Sequence, residues 1–164
     1  MSEECVLDTN VYLVAAQPKH QYFELSKKAA GFAEAKRLIP LSIKTIENEV
    51  RDHIDIIKRN PKLNDKIKEI MVKIIKDFYS LSKELSLNEK IEEIVKDLLQ
   101  NAIEDRADAE IVATSAFHRK KFLTYDWRTI LKQPFEKNIQ DVLKKYGLKL
   151  DWQNPEDFIR RFRL

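Results

Sequence analysis

Residues 5–16 read Cys5-Val6-Leu7-Asp8-Thr9-Asn10-Val11-Tyr12-Leu13-Val14-Ala15-Ala16. A short apolar run ends on an aspartate, two small polar residues follow, and the apolar pattern then resumes. That order spells a buried strand, a turn and the start of a helix. The same grammar returns twice. Leu38 to Ile43 reads as a second strand and leads into helical spacing at Ile46, Val50, Ile54 and Ile57, while Phe122 and Leu123 lead directly to Asp126. Between the first two strands, Tyr22 to Lys36 carries apolar residues at near-helical spacing. Strand-like runs alternating with helical patterns specify an α/β three-layer sandwich built on a mainly parallel central sheet.

The middle of the chain departs from that alternation. Asn60 and Pro61 interrupt a helix, because the residue before proline is pushed out of the helical region. From Leu63 an apolar stripe passes through Ile67, Ile70, Met71, Ile74, Ile75, Phe78 and Leu81 to Leu85, the pattern of one long amphipathic helix. Ser86 and Glu89 have capping-box spacing and open a second helix through Ile91, Ile94, Val95 and Leu98. The expectation is a helical hairpin inserted at about residues 61–103 in one domain spanning 1–164. A further helix is expected from Asp105 to Arg119. Near the end, an extended piece around Leu148 to Trp152 precedes Asn154 and Pro155, the cap and first position of a terminal helix holding Phe158, Ile159 and Phe162.

Composition excludes several functions. The chain has 164 residues, the size of one domain, and only two glycines, Gly31 and Gly147. A dinucleotide fingerprint needs three clustered glycines and a Walker A loop needs two, so neither can be built here. The one cysteine, Cys5, cannot form an internal disulfide, and no leader-like segment opens the chain, which points to the cytoplasm. No apolar run reaches the roughly 20 residues needed to span a bilayer, so no membrane association is expected. His53 follows Glu49 by four residues, but no HExxH or Cys/His set accompanies it, which argues against zinc. Charge is nearly balanced overall, yet from Phe117 to Lys145 eight basic residues face three acidic ones. A solvated face and a phosphate-binding surface both fit that excess.

Four acids stand where surface carboxylates are not ordinarily placed. Asp8 and Asp126 end strands, Asp108 lies in the first turn of the Asp105 helix, and Glu49 lies near the start of the Ile46 helix. In open parallel sheets, the carboxyl ends of strands and the starts of the following helices share one edge. Each acid alone has an ordinary use as a cap or as a partner for a helix dipole. Together, several carboxylates in one place raise each other's pKa values unless a cation sits among them. Mg²⁺ or Mn²⁺ suits such a site, since hard cations take oxygen ligands and keep positions for water and phosphate.

Four segments, VLDTNV (Val6 to Val11), TIENEV (Thr45 to Val50), DRADAEIVATSA (Asp105 to Ala116) and LTYDW (Leu123 to Trp127), resemble in order the four acidic motifs of PIN-domain ribonucleases. The closing NPEDFIRRF is similar to that family's last helix. Asp8, Asp108 and Asp126 match its three aspartates. The family's second motif has an apolar residue, two variable positions, then Glu and an apolar residue, which Ile46, Glu49 and Val50 fit, with Glu47 the second choice.

The resemblance implies metal-dependent hydrolysis of RNA phosphodiester bonds, with Asp8, Glu49, Asp108 and Asp126 as catalytic carboxylates and ligands of Mg²⁺ or Mn²⁺. Thr9, Asn10 and Thr124 lie beside those acids and are expected to orient them through hydrogen bonds, while Asp105, one helical turn before Asp108, is expected to share the acidic pocket or to cap its helix. Arg119, Lys120, Lys121 and Arg128 flank the acids in sequence and are expected to contact RNA phosphates. Tyr125 and Trp127 can stack on unpaired bases or fill the core. The resemblance also implies a homodimer, and either a toxin held by an antitoxin protein or a solitary RNA-processing enzyme. A haloacid dehalogenase-like phosphatase would need a second aspartate two residues after Asp8, where Asn10 stands. The remaining alternative is a non-catalytic PIN-like module that binds nucleic acid or protein.

Overall fold

The computed structural model describes residues 2–126 and 135–160, except for the side chain of Ile159. Five strands form one sheet in which every pair is parallel, in the order β3-β2-β1-β4-β5. They are β1 (Glu3–Leu7), β2 (Leu38–Ser42), β3 (Lys83–Glu84), β4 (Lys121–Leu123) and β5 (Asp151–Gln153). The helices are α1 (Thr9–Val14), α2 (Phe23–Glu34), α3 (Lys44–Arg59), α4 (Asp65–Tyr79), α5 (Glu89–Asn101), α6 (Arg106–Phe117), α7 (Phe135–Lys144) and α8 (Pro155–Arg160). The α/β sandwich expected from the alternation of patterns is what the chain forms.

Strand order assigns the layers. The chain moves outward from β1 through β2 to β3, then crosses back over the sheet to β4 and on to β5. With right-handed crossovers, α1 to α4 cover one face and α5 to α7 the other. The packing agrees: α1 touches α2, α3 and α4, while α5 touches α6 and α7. Cys5, Val6 and Leu7 are wholly buried, as a central parallel strand covered on both faces requires. Pro40 fits within β2 because β3 pairs only with Leu41 and Ser42, so no β3 residue stands opposite the missing N–H.

The segment 61–103 is largely helical, but its two helices are separated by a strand. α4 ends at Tyr79, not near Leu85. The Ser80 hydroxyl donates to the Asp77 carbonyl at 2.6 Å, Ser82 bonds the Tyr12 hydroxyl at 2.7 Å, and Leu85 N–H donates to the Ser42 carbonyl at 2.7 Å. These bonds draw residues 83–84 into the sheet beside β2. Leu81 and Leu85 therefore continue the helical spacing by coincidence. α4 packs on α3 and α1, whereas α5 packs on α6 and α7 in the opposite layer.

The cap of α5 is Asn88, whose Oδ1 accepts from Ile91 N–H at 2.8 Å, and not Ser86. Asn88→Ala is therefore expected to cost about 1 kcal/mol, or about 2–4 °C of melting temperature, while Ser86→Ala stays within about 0.5 kcal/mol. Thermal melts of the two variants check the assignment, which the reverse ranking would refute.

Candidate metal centre

β1 and β4 are neighbours from which the chain departs in opposite directions, so the sheet's topological switch point lies between them. Their carboxyl ends are tied together there. Asp8 N–H donates to the Leu123 carbonyl at 2.9 Å, extending the ladder by one bond. The Asp8 side chain is buried and caps α1, its Oδ1 accepting from Thr9 N–H at 2.8 Å. Its Oδ2 accepts from the Thr124 hydroxyl at 2.7 Å. The Thr124 oxygen in turn accepts from Asp126 N–H at 3.1 Å and from the Asn10 amide at 3.4 Å. Asn10 Oδ1 accepts from Tyr125 N–H at 3.3 Å. Thr124 thus uses its single donor on Asp8, one lone pair on its own loop at Asp126 and the other on Asn10 of α1.

The two remaining acids arrive from opposite layers. Glu49 stands on α3 and Asp108 on α6, whose first turn is capped by Asp105 through a 2.9 Å bond from Asp108 N–H. Both carboxyls are half-buried. Burial, then the charges of Asp105, Asp8, Glu49 and Asp126, push Asp108 up to about 7. Burial and Asp8 likewise push Glu49 up to about 7, the Thr9 hydroxyl offsetting part of the rise. Burial raises Asp8 as well, against the hydrogen bonds from Thr124 and Thr9, with Asp126 adding to the rise. Asp105 and the exposed Asp126 thus act on this group of acids, and among the described residues no lysine or arginine is a leading influence on Asp8, Glu49 or Asp108.

Glu49 Oε1 and Thr9 Oγ1 are buried near enough for the hydroxyl to lower the Glu49 pKa, yet neither makes a hydrogen bond of ordinary geometry among the described residues. Buried oxygens in that condition are costly. The set is all oxygen donors, the choice of a hard divalent cation. Among the described residues, however, no three His, Cys, Asp or Glu side chains already converge as a finished metal cage does. The carboxylates lie along one edge of the sheet but stand apart on it.

Glu47, the second choice for the α3 acid, points elsewhere and pairs with Lys44 and Arg51, each at 3.0 Å. Arg119, Lys120 and Lys121 are not beside the acids. β4 separates them, so residues preceding it lie at the amino edge and those following it at the carboxyl edge. At that amino edge Lys121 pairs with Glu3 at 2.7 Å and Lys120 with Glu4. Arg119 occupies the left-handed turn that ends α6, with φ of 55°. Their nearness to Asp126 in sequence does not carry over into space. Arg128 and Trp127 lie outside the described residues. Tyr125 is buried, its hydroxyl bonded to Ser26 at 2.5 Å and its ring stacked on Tyr22 at 4.6 Å.

No family model matches the chain, and no curated protein matches it. Solved structures do. The VapBC2 structure from Rickettsia felis, bound to a DNA fragment from its promoter, includes a chain that matches with a TM-score of 0.57 and 13% identity, over 92% of this chain and 98% of that one. A chain of FitAcB from Neisseria gonorrhoeae matches with a TM-score of 0.60 and 17% identity, over 93% of this chain and 98% of that one. The chain shares their fold. At such identities the likeness is one of backbone, and it runs nearly end to end on both sides.

Proposed function

We propose that the chain is a metal-dependent ribonuclease of the PIN type that hydrolyses RNA phosphodiester bonds. One observation carries the reading. Acids from β1, α3, α6 and the end of β4 stand at the sheet's carboxyl edge, where their charges add to the burial that raises Asp8, Glu49 and Asp108, and among the described residues no lysine or arginine offsets that rise. Structural carboxylates are ordinarily paired with cations, and a divalent ion would supply the missing charge. The orphaned Glu49 Oε1 and the oxygen-only donor set fit Mg²⁺ or Mn²⁺. When bound, such an ion activates water and stabilises charge on the scissile phosphate.

The chain's own residues prepare the site. Thr124 and Thr9 N–H fix both oxygens of Asp8, which leaves that carboxylate one orientation. Asp105 holds the first turn of α6 and so the position of Asp108. Glu49, Asp108 and Asp126 would complete the ligand set. Because the structural neighbours come from VapBC2 and FitAcB structures, we read the chain as the toxin of a toxin–antitoxin pair with an antitoxin protein as partner; the homodimer remains what the resemblance to PIN-domain ribonucleases implies.

The test is incubation of purified protein with a mixed RNA pool under Mg²⁺, Mn²⁺ or chelator, beside Asp8→Asn. Cleavage is expected only with metal. Asp8→Asn is expected to lose at least about a hundredfold, since metal-borne charge stabilisation is worth several kcal/mol. Equal cleavage by the variant would place the activity elsewhere. Metal-independent RNA binding without cleavage would favour a non-catalytic module.

A further inference from the structure

Thr45 lies in the first turn of α3, four residues before Glu49, and its hydroxyl donates to Oε2 of Glu110 on α6. Among the described residues, this is the one side-chain hydrogen bond that joins α3 to α6. The second oxygen of Glu110 accepts from Arg106 Nε at 3.0 Å, and the Arg106 guanidinium reaches Glu92 on α5 at 2.5 Å. The Glu110 side chain is only 14% exposed, whereas that of Arg106 is 55% exposed. The ion pairs of Arg106 therefore add little energy by themselves. They orient a nearly buried carboxylate whose other oxygen crosses between layers, where a hydrogen bond to a charged group counts for more.

The crossing matters because of what the two helices carry. α3 belongs to one layer and brings Glu49; α6 belongs to the other and brings Asp108. The two helices touch each other across the layers, so the spacing between Glu49 and Asp108 follows the spacing between α3 and α6. We propose that Thr45 and Glu110 are positioning residues, a polar tie across the two layers that holds Glu49 and Asp108 within reach of a common divalent ion. Glu110 acts here through its bonds to Thr45 and Arg106, as a group that sets helix spacing and not as a ligand. The proposal rests on the metal-dependent reading above and adds the residues that set the spacing of its ligands.

The experiment measures Mn²⁺ affinity calorimetrically on protein stripped with chelator, so the readout does not depend on turnover. Thr45→Val keeps the side-chain shape and removes the hydroxyl; Thr45→Ser keeps the hydroxyl; Glu110→Ala removes the acceptor. Thr45→Val and Glu110→Ala are each expected to weaken Mn²⁺ binding about tenfold, the lower end for groups that orient metal ligands. Thr45→Ser should bind as wild type does. The double variant should be no weaker than either single one, because both remove the same tie. Melting curves in chelator confirm that each variant is folded, and Glu110→Ala serves if Thr45→Val is not.

Wild-type Mn²⁺ affinity in folded Thr45→Val and Glu110→Ala would overturn the tie and leave the ribonuclease reading standing. Thr45→Ser as weak as Thr45→Val would also overturn it, since bulk and not the hydroxyl would then matter. A wild-type protein that takes up no Mn²⁺ ends both readings together.

Discussion

In chelator, the melting temperature of this protein is expected to fall as the pH is raised from about 5 to about 8. Glu49 and Asp108 ordinarily titrate near 4.5 and 3.8, and both are pushed up to about 7 in the fold. The folded chain therefore binds more protons than the unfolded chain between those values, so stability declines with rising pH across that window. It is fully present below about pH 4 and lost by the time both carboxyls ionise near 7. Each tenfold change in proton affinity is worth about 1.4 kcal/mol, and solvent reaching both half-buried groups screens much of that. On the order of 2–3 kcal/mol remains for the pair, about 5–10 °C for a domain of this size. Buried Asp8 pulls the same way. Glu4, held below its usual value by the hydrogen bond from Lys120, pulls the opposite way, but only at pH values below about 4.5.

Mn²⁺ should remove most of that slope, because it replaces the protons that the acids otherwise seek. At a concentration of about 100 Kd it adds about 2.7 kcal/mol to the folded state, and this gain grows with pH as the ligands deprotonate. Scanning calorimetry at several pH values, with chelator and with Mn²⁺, checks both halves. A metal-free melting temperature that stays level or climbs from pH 5 to pH 8 would show that the acids do not crowd one another.

The common edge of these acids was legible in the sequence for a physical reason. In a parallel sheet, an acid that immediately follows an apolar run lies at the carboxyl edge, and every such acid lies at the same edge. Asp8 and Asp126 obey this directly, and Glu49 and Asp108 follow because helix starts sit there too. What local pattern could not supply was anything set by distant partners. β3 is Lys83 and Glu84, exposed and charged, and it is a strand only because β2 offers it a ladder. The end of α4 depends on Tyr12 and Ser42, far away in the chain. Asn88 and Ser86 are equally good caps by residue type, and only the backbone path chooses between them. Arg119, Lys120 and Lys121 lie close to Asp126 in number, yet β4 carries the chain across the sheet between them. The Thr45–Glu110 bond joins residues 65 positions apart and leaves no trace in composition or spacing.

Asp108→Asn separates function from stability, because its two effects have opposite signs. Activity on RNA with Mn²⁺ is expected to drop at least about a hundredfold, since one metal-binding carboxylate is gone. The folded state in chelator at pH 8 is expected to gain on the order of 1 kcal/mol, or about 2–4 °C. At that pH the wild-type Asp108 is mostly charged, repelled by Asp105, Asp8, Glu49 and Asp126, and short of solvent. A neutral amide of the same shape escapes both costs. It keeps the backbone bond from residue 108 to Asp105, because that bond uses the main-chain N–H. The lost interaction between a first-turn acid and the helix dipole is worth only about 0.3–1 kcal/mol and reduces the gain without reversing it. The difference should shrink as the pH falls and vanish only below about pH 4, where Asp108 carries its proton in the folded and the unfolded chain alike. With Mn²⁺ the order should invert, wild type gaining the more from the ion. If the variant melts below wild type in chelator at pH 8, Asp108 works as a structural partner of the α6 start and not as one of a set of acids held ready for a cation.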